Sequence, residues 1–230
     1  MPIKGNAFIA IWHDIRSESE PEYNRWHTRE HMPERLSIPG FARGRRGVDW
    51  NRERHRYWTL YEGPDLDVFG SPAYLQRLNN PTPWTQRIQP AFYNFIRCGC
   101  EVLVSLGEGV GGAMATYRVS FSGIDEGGLR RAARSIAEDI MVFGGVSSVH
   151  IGLARPESTG AKTKETELRG STPDGSFDAA VLVDGIGRSE LEAALPAISA
   201  ALAKHALRPA PEDVGVYDLA FALDSLASTQ

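Results

Sequence analysis

The chain has 230 residues, of which 42% are hydrophobic and 23% charged, and its formal net charge is −4. A normal core can form in one large domain or two modest ones, and the acidic balance excludes a general pull toward nucleic acid or anionic membrane. No stretch approaches the roughly 20 apolar residues that span a bilayer. The opening MPIKGNAFIAIWHD does not read as a secretory signal, and Cys98 and Cys100 fit a reduced, cytoplasmic setting.

Ala7–Asp14 alternates as a first strand. A helix follows, with Ser19 and Glu22 in a capping-box spacing and Pro21 in its first turn. Pro33 predicts a kink or stop at Met32. After the Pro39-Gly40 turn, Phe41–Trp50 and His55–Glu62 read as paired strands. Ser71–Leu78 reads as a short helix, and Phe92–Leu106 as one long strand or two joined at a bend. The glycine-rich run from Leu106 to Gly112 is a linker. It matches the letters of a dinucleotide fingerprint but precedes a strand, where that motif needs a helix.

The pattern then restarts. Ala113–Ser122 is a strand, and Leu129, Ala132, Ala133, Ile136 and Ile140 mark an amphipathic helix. Val142–Ala154 is a strand, and the polar stretch Glu157–Gly175 is expected to be a mobile loop. Phe177–Asp184, Ser189–His205 and Val214–Leu223 read as strand, helix and strand. Both halves, 1–106 and 113–230, therefore read β-α-β-β-α-β, the ferredoxin-like arrangement. The fold class is α+β: two tandem ferredoxin-like halves whose antiparallel sheets face each other, closing a barrel-like core with a pocket where the sheets do not fill space.

The first-half helix carries Tyr23, Trp26, His27, Glu30 and His31 where a sheet-packing helix normally carries aliphatic residues. The equivalent second-half helix has an ordinary apolar stripe. All five tryptophans also lie in the first half. The contrast predicts a working first half and a scaffolding second half.

Trp26-His27, Glu30-His31-Met32-Pro33-Glu34-Arg35, Ile38-Pro39-Gly40-Phe41 and Arg43-Gly44-Arg45-Arg46 together resemble EthD-like members of the dimeric α+β barrel superfamily, over about residues 5–105. Ser71-Pro-Ala-Tyr74 and Asn80-Pro-Thr-Pro-Trp84 are similar to the same group. The resemblance implies the barrel fold and further dimerisation as a homodimer. The superfamily spans lactone isomerases, polyketide cyclases, cofactor-free quinone-forming monooxygenases, dehydratases and haem enzymes.

Imidazole titrates near neutrality, so His27 or His31 is a candidate general base, with Glu30 as orienter and Arg43 or Arg46 as anion stabiliser. His31 would lie about 40° round the helix from His27. Tyr23, Trp26 and Trp84 would form the apolar wall. Trp12 and His13 alternate on the first strand, so only one of them can share that wall. The spacing H-x-x-E-H also matches a zinc-protease motif, but the context differs and no third ligand is evident. The expected activity is cofactor-independent acid–base chemistry of the isomerase, cyclase or lyase type on a small hydrophobic molecule bearing a carbonyl or carboxylate. The alternatives are a haem-dependent or cofactor-free monooxygenase, or a non-catalytic ligand-binding module.

Overall fold

Alternating strands close into one antiparallel barrel in the computed structural model, which describes residues 3–170 and 175–225. The strands are β1 (Ala7–Ile15), β2 (Arg43–Val48), β3 (Tyr57–Gly63), β4 (Phe92–Gly107), β5 (Ala113–Val119), β6 (Val146–Arg155), β7 (Ala179–Gly185) and β8 (Val214–Asp224). Their order around the barrel is β1-β3-β2-β8-β5-β7-β6-β4. Each half thus contributes four adjacent strands, and the halves join at β2–β8 and β4–β6. Closure leaves no free sheet edge, the usual template for unwanted pairing.

Period-two alternation sends one row of each strand inward and the other outward. Phe8, Ala10 and Trp12 of β1 point into the barrel, packed with Trp58, Leu60, Met114 and Leu182. Among the described residues these side chains fill the barrel interior, and the cavity lined by His13, His27 and His31 lies outside it, not between the facing sheets as expected. Arg45 is buried within it between Glu62 (3.1 Å) and Asp184 (2.9 Å), one carboxylate from each half. Two partners compensate a guanidinium that would be very costly to bury alone.

The outward rows meet helices. In the first half these are α1 (Glu20–Trp26), a π-helical turn (His27–His31) and α2 (Met32–Leu36), which run on without a break. Of the kink or stop expected at Met32, the helix shows no stop but departs from regular α-winding in the turn just before it. The proline ring would clash with the carbonyl of Arg29 four residues earlier in an α-turn, and the wider π-turn relieves that clash. The Met32 amide correspondingly donates to His27 O, five residues back. Next come α3 (Pro72–Asn79), capped by Ser71 Oγ, and α4 (Pro83–Ile88), capped by Thr82 Oγ1; the latter helix was not expected. The second half packs α5 (Glu126–Met141) and α7 (Arg188–Lys204) on an aliphatic core that includes Val149, Ile151 and Val181.

The loop expected over Glu157–Gly175 contains a helix, α6 (Lys164–Arg169). Thr163 Oγ1 accepts from the Thr166 amide at its start, and Gly170, at φ 67°, ends it in the left-handed region. Residues 171–174 of that stretch lie outside the described residues.

Candidate active site

The first-half helices do not seal perfectly onto the outer face of β1 and β3. Between them lies a partly enclosed cavity of about 50 Å³. That is room for a few waters or one small ring. The sheet supplies Ile11, His13, Thr59 and Tyr61; the helix supplies Trp26, His27, His31 and Arg35. The second half closes the cavity with α6, through Thr163, Glu165, Thr166 and Arg169.

Outward alternation along β1 decides between Trp12 and His13. His13 faces the helices and lines the cavity, whereas Trp12 points into the barrel, where its Nε1 donates to Thr116 Oγ1 at 3.1 Å. His13 Nε2 lies 3.0 Å from the Tyr23 hydroxyl, and its ring stacks on Tyr57 at 5.6 Å. Tyr23 thus stands behind His13 and does not itself line the cavity. The π-turn sets His27 and His31 side by side, ring centroids 5.3 Å apart. His31 also packs on Trp26 at 4.2 Å. Trp26 is held in turn by Thr85, whose Oγ1 accepts its Nε1–H at 3.1 Å.

Burial pushes the pKa of all three imidazoles well below the ordinary histidine value. The nearby guanidiniums add to this: Arg169 and Arg46 at His13, Arg46 at His27, and Arg35 at His31. They are neutral bases at pH 7. The Nδ1 atoms of His13, His27 and His31 are shut off from solvent and have no hydrogen-bond partner among the described residues. Tyr61 OH, Thr59 Oγ1 and Gln89 Oε1, also on the cavity wall, are in the same state. Buried polar atoms are nearly always satisfied. Such a group of orphans around one space is the signature of a polar ligand or of ordered water.

The other residues singled out from the sequence are dispersed. Glu30 turns to Thr82, whose Oγ1 donates to its carboxylate at 2.6 Å, so it orients no imidazole through a hydrogen bond. Arg43 lies on the inward row of β2, paired with Glu62 at 2.8 Å on the far side of the sheet from the cavity. Arg46 lies on the outward row, buried, 5.6 Å over the Tyr23 ring, with Nη2 donating to Thr28 Oγ1 at 3.3 Å. Its Nε and Nη1 have no partner among the described residues. Trp84 packs beside the Tyr23–Trp26 cluster and does not line the cavity.

Several wall residues escaped the sequence reading: Arg35, Phe92, Phe95, Arg97, Glu165 and Arg169. The start and stop of α6 were legible, since Thr163 opens and Gly170 closes the run Lys164–Arg169, but nothing local shows that it docks on the other half. Its anchor is the Arg35–Glu165 pair at 2.5 Å, joined by Gln89 Nε2, which donates to Glu165 at 3.2 Å.

No group of three or more His, Cys, Asp or Glu among the described residues is arranged to hold a metal ion. A neutral imidazole is a competent haem ligand. Trp26, Phe92, Phe95 and α6 wall the space in front of the imidazole rings.

No family model matches the sequence, and no curated protein matches it. Solved structures do match in fold. An anthrone oxidase-like protein is 10% identical with a TM-score of 0.63, the match covering 96% of this chain and 93% of the other. A provisional monooxygenase from Fusobacterium nucleatum is 10% identical with a TM-score of 0.59, covering 96% of each chain. A provisional chlorite dismutase is 9% identical with a TM-score of 0.58, covering 95% and 96%. This chain has the dimeric α+β barrel fold. At such identities the likeness establishes that fold and carries no residue-level correspondence; membership of the EthD-like group is not shown. Among the described residues no helix is long and apolar enough to cross a membrane.

Proposed function

We propose that the protein is a cofactor-independent oxygenase of a small, acidic, electron-rich aromatic compound. The observation that carries this reading is the set of three neutral imidazoles, His13 and His27 buried and His31 half-buried, around one aromatic-walled cavity, each with an Nδ1 that has no hydrogen-bond partner among the described residues. A neutral imidazole in a dry site is a good base, and the cavity has no carboxylate free for that role, because Glu165 is engaged by Arg35. His27 or His31 removes a proton from an activated methylene of the substrate, and Arg46 offsets the negative charge that develops. The carbanion reacts with dioxygen to give a hydroperoxide, to which the imidazolium returns its proton. Loss of water then yields the carbonyl product. The net change turns a methylene group and dioxygen into a carbonyl group and water. One oxygen atom ends in the carbonyl and the other in water, so dioxygen takes up all the electrons that the carbon loses.

This reading takes up the cofactor-free monooxygenase alternative in place of the isomerase, cyclase or lyase expected first from the sequence. The proton-abstraction step is common to both. The fold likeness to proteins described as an anthrone oxidase-like protein and a provisional monooxygenase favours dioxygen as the partner of the carbanion.

The test is oxygen consumption by the purified protein with single-ring aromatic compounds that carry an activated methylene. Turnover is expected to fall at least a hundredfold in His27→Ala or His31→Ala while the near-ultraviolet dichroism is kept. Anaerobic conversion at the aerobic rate would replace dioxygen by a non-redox outcome. Unchanged turnover in both variants would remove the imidazoles from the chemistry.

A further inference from the structure

The cavity wall carries more positive charge than it neutralises. Three guanidiniums line it, Arg35, Arg97 and Arg169, against one carboxylate, Glu165. Arg35 takes that carboxylate at 2.5 Å and Glu34 at 3.0 Å. Among the described residues Arg97 hydrogen-bonds only to neutral oxygens: Nη2 donates to the Tyr74 hydroxyl at 3.0 Å and Nη1 to Thr159 O at 3.4 Å. Arg169 makes no hydrogen bond or ion pair among the described residues, and its Nε is shut off from solvent. Its guanidinium lies 3.6 Å from the centre of the Phe95 ring and 6.0 Å from that of Phe92. A cation–π contact offsets only part of the loss of hydration. Burial and the neighbouring Arg97 lower the Arg169 pKa to about 10, which still leaves it cationic at neutral pH.

Two adjacent cations that have no ion pair of their own among the described residues, on an aromatic wall of a cavity with further partnerless polar atoms, describe half of a binding site. The missing half is an anion attached to a flat apolar body. We propose that the substrate is a small aromatic carboxylate, whose carboxylate docks on Arg97 and Arg169 while its ring lies on the Phe92–Phe95 wall. Guanidinium forks match carboxylate oxygens in geometry as well as charge. The inference rests on this cavity being the catalytic site and names the class of molecule that enters it. It also gives α6 a part in recognition. The helix that seals the cavity thus also brings the recognising charge.

Benzoate and its neutral isostere benzamide are the probes, and binding is read by calorimetry and by the shift in thermal midpoint. Saturable benzoate binding at least tenfold tighter than benzamide is expected. Arg169→Met, which keeps an unbranched side chain over Phe95, should lose that preference, and Arg169→Lys should keep part of it. Arg188→Met, outside the cavity, should change nothing. Equal affinity for the two probes, binding of neither, or full benzoate preference in Arg169→Met overturns the proposal. The first of these outcomes can be read on the wild-type protein alone, so a variant that fails to fold does not protect it. Benzoate binding needs no turnover. Its loss would leave the imidazole chemistry standing, and catalytically inert His27 and His31 sites would leave benzoate recognition standing.

Discussion

His27 shows how one residue's surroundings set its chemistry. Placed on a helix against water it would be half protonated near pH 6.5. Here it is 3% exposed, and burial followed by the Arg46 charge drives its pKa well down. His13 and His31 are shifted the same way. A base whose pKa is lowered stays competent at lower pH, because less of it is lost to protonation. The acidic limb of the kcat/KM profile, which reports the free enzyme, is therefore expected well below pH 6.5. A limb at 6.5 or above, measured in the range where the protein stays folded, would mean that the catalytic base is not one of these rings. Spacing alone placed His27 and His31 together. It could not show that Glu30 would be drawn off by Thr82, since that partner lies 52 residues away in the chain.

The π-turn His27–His31 is the element on which the site depends. Four residues overshoot a full α-turn and fall short of a full π-turn, so repairing the turn to α would swing His31 from one side of His27 to the other. Pro33 favours the wide form, because an α-turn would press its ring on the Arg29 carbonyl. Pro33→Ala removes that obstacle and restores an amide donor. Its expected outcome is a stability to urea that is kept, or raised by about 1 kcal/mol, together with at least a tenfold loss of turnover. Equal turnover in variant and wild type would show that the wide turn is incidental. The sequence pointed to this segment, since two imidazoles and a carboxylate on a sheet-packing face conflict with the usual pattern. Element order and barrel fold were legible for the same reason, from period-two and period-3.6 alternation. The cavity's location was not. Alternation gives two rows on β1 without saying which row faces helix and which faces barrel. The contribution of α6 was hidden too, because docking across 130 residues, as in Arg35–Glu165, leaves no local trace.

At the scale of the molecule, one closed barrel couples both halves to the same buried groups. Arg45 holds a carboxylate from each half inside it, and α6 seals a cavity built mostly by the other half. The fold is also unusually loaded with neutral histidine. His13, His27 and His31 have strongly lowered pKa values. Burial lowers His150 as well, against the pull of Asp184, and His55 is lowered to about 3 by burial and by Arg118. In the unfolded chain each would titrate near 6.5. Below that pH the unfolded state takes up protons that the native state refuses, so the native state loses stability as the pH falls. Each cavity histidine contributes a slope of up to about 1.4 kcal/mol per pH unit from 6.5 downward. Carboxylates held low by arginine, such as Asp184, add loss of the same sign at more acidic pH. The expected outcome is a urea midpoint that is level above pH 7 and falls steeply between about 6.5 and 5, above the range of carboxylate titration. His27→Phe should lower the proton uptake on unfolding by about one proton near pH 5.5, whatever it does to the absolute stability. A midpoint that stays level down to pH 5 would mean that these imidazoles are protonated in the folded protein, and the neutral-base chemistry of the cavity would fall with it.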